Sequence, residues 1–222
     1  MKLHATAWLV VISLVILQNA PAQDFQDLDF ESANLTPPTG QRGYGGSVSI
    51  SDALPGWTGY LGANQVTTVL QDNYTLGNPS IDILGPNWSY GDIIEGQYTV
   101  VLQPGDGDSG YVGASISQSG LVPENALSLQ FKAQTFSSFS VSLGGQDLSL
   151  IPLGTGANYT LYGADISRFA GKVETLTITA LAAPNTVDYF DSIVFSPSSV
   201  PEPSVLGLFA LSGLFFCLRR PK

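Results

Sequence analysis

Leu127-Ser128-Leu129-Gln130-Phe131-Lys132 and, a few residues on, Phe139-Ser140-Val141-Ser142-Leu143-Gly144 put an apolar side chain at every second position. That is the period of an extended strand, whose side chains leave by alternate faces, so each stretch has one apolar and one polar face. Leu176 and Ile178 between Thr175, Thr177 and Thr179 repeat the pattern, as do Tyr98, Val100 and Leu102 around Thr99 and Val101. No stretch between 23 and 199 sustains the 3.6-residue period of an amphipathic helix. Turn-forming runs separate the alternating stretches: Pro104-Gly105-Asp106-Gly107, Gly144-Gly145, Gly154-Thr155-Gly156 and Ala183-Pro184-Asn185. Roughly ten short strands at such spacing predict an all-β, antiparallel sandwich in which each strand buries one face and wets the other. One brief helical turn is expected over 165–171, with Asp165 capping it and Gly171 ending it.

Outward from these strands the composition changes at both ends of the 222-residue chain. Lys2 precedes an almost wholly apolar stretch from Ala5 to Leu17, and Ala20-Pro21-Ala22 follows. A basic start, an apolar stretch of about a dozen residues and a small-x-small site predict a secretory signal peptide over 1–22, cut after Ala22. At the other end Pro201-Glu202-Pro203 precedes an uncharged stretch from Val205 to Leu218, then Arg219 and Arg220. Arginines after such a stretch favour the cytoplasmic side, which predicts a C-terminal transmembrane helix in the inner membrane with the domain outside. The stretch is short for a span, so a thin or transient insertion is expected.

The order Pro201-Glu202-Pro203, apolar helix, Arg219-Arg220 resembles the PEP-CTERM sorting signal. The resemblance implies processing by an exosortase-type membrane enzyme, in cells that also secrete exopolysaccharide. The expected division is signal peptide 1–22, ectodomain 23–198 and sorting and anchor segment 199–222.

The ectodomain has four basic residues, Arg42, Lys132, Arg168 and Lys172, against 17 acidic ones between Asp24 and Asp191, a formal charge of about −13. Polyphosphates are repelled by such a domain, which argues against nucleic acid as a partner and leaves cations and neutral glycans. His4 and Cys217 are the only His and Cys, and both lie in the terminal segments. The ectodomain therefore has no disulfide, no Cys/His zinc site, no thiol nucleophile and no imidazole base. Gly107-Asp108-Ser109-Gly110 echoes the nucleophile motif of chymotrypsin-like proteases, but that chemistry needs an imidazole. Asp106-Gly107-Asp108-Ser109 lacks the further ligands of a calcium loop and reads as a polar hairpin turn.

The run Tyr159 to Ala180, the stretch Val187 to Phe195 and the opening Leu28-Asp29-Phe30-Glu31 are similar to the late part, closing strand and first strand of jelly-roll modules of the galactose-binding and carbohydrate-binding kind. The resemblance implies a structural Ca²⁺ joining the first and last strands through Glu31 and Asp191. Carboxylate oxygens suit a hard cation; two solvated strand-end acids are the alternative.

Trp57, Tyr60, Trp88 and Tyr90 lie in Gly/Pro/Asn-rich surroundings. Aromatics on loops of a rigid scaffold can stack on sugar rings; the alternative is that they fill the core. Trp57 is expected in the core, and Trp88 and Tyr90 are the candidate sugar-stacking residues. The 17 acids permit many carboxylate pairs, and none is singled out as catalytic. The sequence thus predicts an exported surface or exopolysaccharide-matrix protein, non-enzymatic, with a structural or glycan-binding sandwich; the alternative is a carbohydrate-active hydrolase using paired carboxylates.

Overall fold

The computed structural model describes residues 23–36, 45–75, 77–88, 90–108 and 110–201. The predicted signal helix and C-terminal helix lie outside them. Among the described residues no helix is long and apolar enough to cross a membrane.

Among the described residues there are sixteen strands, one four-residue helix, α1 (Ile50–Ala53), and one 3-10 turn. In chain order the strands are β1 (Ser47–Ser49), β2 (Thr58–Leu61), β3 (Asn64–Val66), β4 (Thr68–Gln71), β5 (Ser80–Leu84), β6 (Thr99–Gln103), β7 (Gly105–Gly107), β8 (Gly110–Val112), β9 (Ala114–Leu121), β10 (Ser128–Thr135), β11 (Phe139–Leu143), β12 (Gln146–Asp147), β13 (Ile151–Thr155), β14 (Thr160–Asp165), β15 (Val173–Ala180) and β16 (Asp188–Ser196). An eight-stranded sheet runs β1-β4-β5-β6-β16-β10-β14-β13 and a six-stranded sheet runs β12-β11-β15-β9-β2-β3, with β7 and β8 as a separate hairpin. Neighbours are antiparallel except β4 and β5, which are parallel. The predicted antiparallel sandwich is therefore observed, with more and shorter strands than the alternation counts.

Alternation explains which residues meet between the sheets. From the eight-stranded sheet come Ile81, Ile83, Val100, Leu102, Leu129, Phe131 and Phe190, and from the six-stranded one Ile116, Val141, Leu143, Leu176 and Ile178, all buried in one cluster. Phe131 is its aromatic hub, with Phe139, Tyr162 and Phe190 at ring-centroid distances of 6.2, 5.6 and 6.3 Å. Trp57 is buried in this cluster, as expected, and its indole N–H is satisfied by the Asp27 carbonyl at 3.0 Å. Gly144 and Gly145, at φ 59° and 71°, form the two-residue turn between β11 and β12 that needs left-handed backbone at both positions. The helical turn is a 3-10 turn, Ser167–Phe169; Asp165 Oδ1 accepts from the Ser167 amide at 2.8 Å, and Gly171 turns the chain at φ 72°. Residues 105–107 and 110–112 pair as a hairpin, as expected.

Two expectations are corrected. Leu28-Asp29-Phe30-Glu31 is a turn, not a first strand. The Asp27 and Asp29 carboxylates accept from the Ser32 and Glu31 amides, which draws the backbone into a coil of its own, and Phe30 sits at φ 59°. Phe30 is nonetheless fully buried. Second, β5 and β6 do not wet one face: every residue of both strands is buried. The outer face of the eight-stranded sheet is covered there by residues 85–88 and 90–98, which cross it as a strap.

Candidate functional site

The strap exists because the sheet beneath it offers fixed acceptors. Asp72 Oδ1 receives the Gly85 amide at 2.6 Å at its start. Thr99 Oγ1 receives Ile94 N at 2.9 Å, Asp191 Oδ2 receives Glu95 N at 3.1 Å, and Glu31 Oε1 receives Gln97 N and Tyr98 N at 2.8 and 3.0 Å. From the far edge, Asn158 Nδ2 donates to the Ile93 carbonyl at 3.0 Å. A loop so anchored spends most of its entropy cost once and presents its side chains in one arrangement.

Under the strap lies a second, smaller core of Leu84, Trp88, Val101 and Tyr189, against which Tyr74, Ile93, Ile94 and Val187 pack. Trp88 is 8% exposed. Its ring meets Tyr74 edge-on at 4.9 Å and Tyr90 at 4.9 Å with 54° between planes. Tyr90, above it, is 56% exposed. Trp88 Nε1 donates to Asp92 Oδ2 at 2.9 Å, and the Tyr74 hydroxyl donates to the same oxygen at 3.3 Å. The Tyr74 and Tyr189 hydroxyls share a 2.6 Å hydrogen bond. Since the Tyr74 proton points at Asp92, Tyr189 is the donor of that pair. Burial raises Tyr74 above the usual tyrosine range and pushes Tyr189 up to about 12, so both phenols stay neutral and keep their protons for these bonds. The row continues to Phe136, edge-on to Tyr189 at 6.3 Å and 61% exposed. Tyr90 and Phe136 are thus exposed aromatic ends of a continuous row whose middle is buried and hydrogen-bonded. At one end the exposed Tyr90 ring offers an apolar face on the same strap as the Asp92 carboxylate.

Trp88 and Tyr90 of the sequence reading come together here, Trp88 as support and Tyr90 as surface. Tyr74, Asp92 and Tyr189 are the members that the sequence reading missed. Tyr74 lies in an Asn-Tyr-Thr-Leu run that recurs at Asn158 and reads as compositional bias; only the strap's path brings it beside Trp88. Asp92 is four residues after Trp88, and this proximity in sequence is the one signal that could have found it.

Glu31 and Asp191 also converge, both on strap residues 95–98. Asp191 holds Glu95 N and Thr99 Oγ1 on Oδ2, and Ser192 N at 2.6 Å and Ser192 Oγ at 3.3 Å on Oδ1. Burial pushes its carboxyl up to about 6 in spite of these bonds. Glu31 Oε1 and both Asp191 oxygens thus hold backbone amides in this structure. Beside them Glu95 pairs with Lys132 and accepts from Ser192 Oγ, which together hold its carboxyl below the usual range. Among the described residues no three His, Cys, Asp or Glu side chains cluster as a metal centre.

Pro201 is the last described residue of the sorting signal; Glu202, Pro203, Arg219 and Arg220 lie outside the described residues. No curated protein matches the sequence. Among solved structures the chain is similar to TmCBM61 in complex with beta-1,4-galactotriose, at 11% sequence identity and a TM-score of 0.44, over 77% of this chain and 95% of that one. No residue or ligand is carried across from it. Residues 199–220 match the family model described as the PEP-CTERM protein-sorting motif. The chain thus carries the mark of an exported protein, held at least transiently in a membrane by its C-terminal region and processed there by exosortase, a membrane enzyme.

Proposed function

We propose that the sandwich is a non-enzymatic glycan-binding module of the cell surface or exopolysaccharide matrix, and that it binds neutral sugar rings on the outer face of the eight-stranded sheet through Tyr90. The observation that carries this reading is the exposed Tyr90 ring seated on the buried, hydrogen-bonded Trp88. A ring pre-set in this way loses little side-chain entropy when a sugar covers it. Asp92, on the same strap, supplies an acceptor for sugar hydroxyls. The domain's acidity favours neutral polymers over uronate-rich ones, which it repels.

The test is retention of the purified chain on a panel of immobilised polysaccharides, with reducing-sugar release scored on the same samples. Tyr90→Ala is expected to weaken retention about tenfold, the effect of truncating one aromatic anchor, while leaving the melting temperature within about 1 °C because the ring is exposed. Unchanged retention in Tyr90→Ala removes this face as the site. Sugar release by the unaltered chain favours the carboxylate hydrolase instead.

A further inference from the structure

Asp72 and Asp82 are 0% and 1% exposed, and neither was singled out by the sequence. Asp82 lies on the outer face of β5, and Asp72 follows β4, which runs parallel to β5 beside it. Each uses one oxygen on a backbone amide: Asp72 Oδ1 on Gly85 N at 2.6 Å, and Asp82 Oδ2 on Asn73 N at 3.0 Å. The other two oxygens, Asp72 Oδ2 and Asp82 Oδ1, are buried with no hydrogen-bond partner. Gln103 Oε1 is a third such oxygen. Gln103 pairs with Ser80, so it shares a face with Asp82 on the adjoining strand. The backbone at Asp72 is itself held at φ 48°, in the left-handed region.

Unpaired buried carboxylates are costly, and two that feel each other are more so. Desolvation raises both carboxyls, Asp82 well above its ordinary value, and the charge of Asp72 adds to the rise at Asp82. The three basic residues described are engaged elsewhere: Lys132 with Glu95, Arg168 over the Phe169 ring, and Lys172 with the Arg168 carbonyl. One proton shared between the two would neutralise only one of them and would leave Gln103 Oε1 without a partner. A cation satisfies both oxygens at once.

We infer that Asp72 and Asp82 bind a hard divalent cation, calcium in type, at the root of the strap. Two carboxylates supply the charge, and neutral oxygens such as Gln103 Oε1 complete the shell; calcium accepts such mixed oxygen sets. Because Asp72 also holds the Gly85 amide, the ion fixes the point from which Trp88 and Tyr90 are carried. This site is distinct from Glu31 and Asp191, and its test does not depend on glycan binding.

The full chain, purified in detergent and stripped with chelator, is titrated with CaCl2 by calorimetry and by thermal melting. Binding heat and a rise in melting temperature of about 5–10 °C at hundredfold excess over Kd are expected. Asp82→Asn is expected to abolish both, and Asp72→Asn, which retains the acceptor for Gly85 N, gives the same reading should D82N fail to fold. Glu31→Gln is expected to keep both. A wild-type chain without heat or shift overturns the inference and leaves protonation to neutralise the pair. A response kept in D82N or D72N but lost in E31Q overturns it too, and places the ion between Glu31 and Asp191.

Discussion

Asp191 carries four hydrogen bonds and is still a weaker acid than a free aspartic acid, because burial outweighs the bonds. Its folded-state value of about 6 exceeds the unfolded one near 3.8. The folded chain therefore keeps a proton that the unfolded chain has released between about pH 4 and pH 6. The stability tied to that proton is fully present below about pH 4 and is lost as the pH rises through 6. The difference corresponds to about 3 kcal/mol at most. At fixed calcium, melting temperature is expected to fall across this window and then level off. Asp191→Asn is expected to melt lower at pH 4, having one acceptor too few for Glu95 N, Thr99 Oγ1 and Ser192 N, but to show a flatter profile between pH 4 and 6. An unchanged slope would remove Asp191 as the titrating group.

At the scale of elements, the strap decides what this sheet face can do, and Glu31 is its C-terminal clamp. Glu31→Ala frees the amides of Gln97 and Tyr98 at an exposed edge, where each lost bond costs about 1 kcal/mol. Faster amide hydrogen exchange at 94–98 is expected, with exchange in β10 and β15 unchanged, since local opening need not involve the core. Equal protection of 94–98 in the variant would show that the other anchors suffice. The sequence announces β10, β11 and β15 plainly, because most of their polar positions face away from the core. It hides the strap. Asp82, Thr99 and Gln103 alternate with Ile81, Val100 and Leu102 as wet residues would, and alternation records polarity, not whether another segment supplies the partners for it. The platform is hidden for the same reason: Trp88 and Tyr90 stand out as aromatics in a loop, while Tyr74 and Tyr189 read as ordinary residues until the strap crosses them. The turn at Leu28-Asp29-Phe30-Glu31 is the opposite failure. Its apolar–acidic alternation matches a strand, but short-range bonds from Asp27 and Asp29 win over the ladder.

At the scale of the whole molecule, the sandwich runs into the first residues of its sorting motif. Ser128 Oγ donates to the Ser198 carbonyl at 2.7 Å, and Val200 fills the space beside Gly163, where a Cβ would lie 2.7 Å from it. The matched motif starts at residue 199. The folded domain therefore reaches to within a residue or two of Pro201-Glu202-Pro203, with almost no slack chain between them. A domain so close to its sorting motif is expected to stay near the membrane for as long as the C-terminal region is held there. A cut before Val200 would strip a packed side chain from β14, so processing is expected to fall beyond it. Mass spectrometry of the protein from its native host is expected to show a chain ending shortly after Val200 and found outside the membrane fraction. Glu202→Ala is expected to retain a C-terminus at Lys222 and to remain with membranes, with an unchanged melting temperature because Glu202 follows the folded part. Release of the variant with the same C-terminus as the unaltered protein would show that processing does not read this motif.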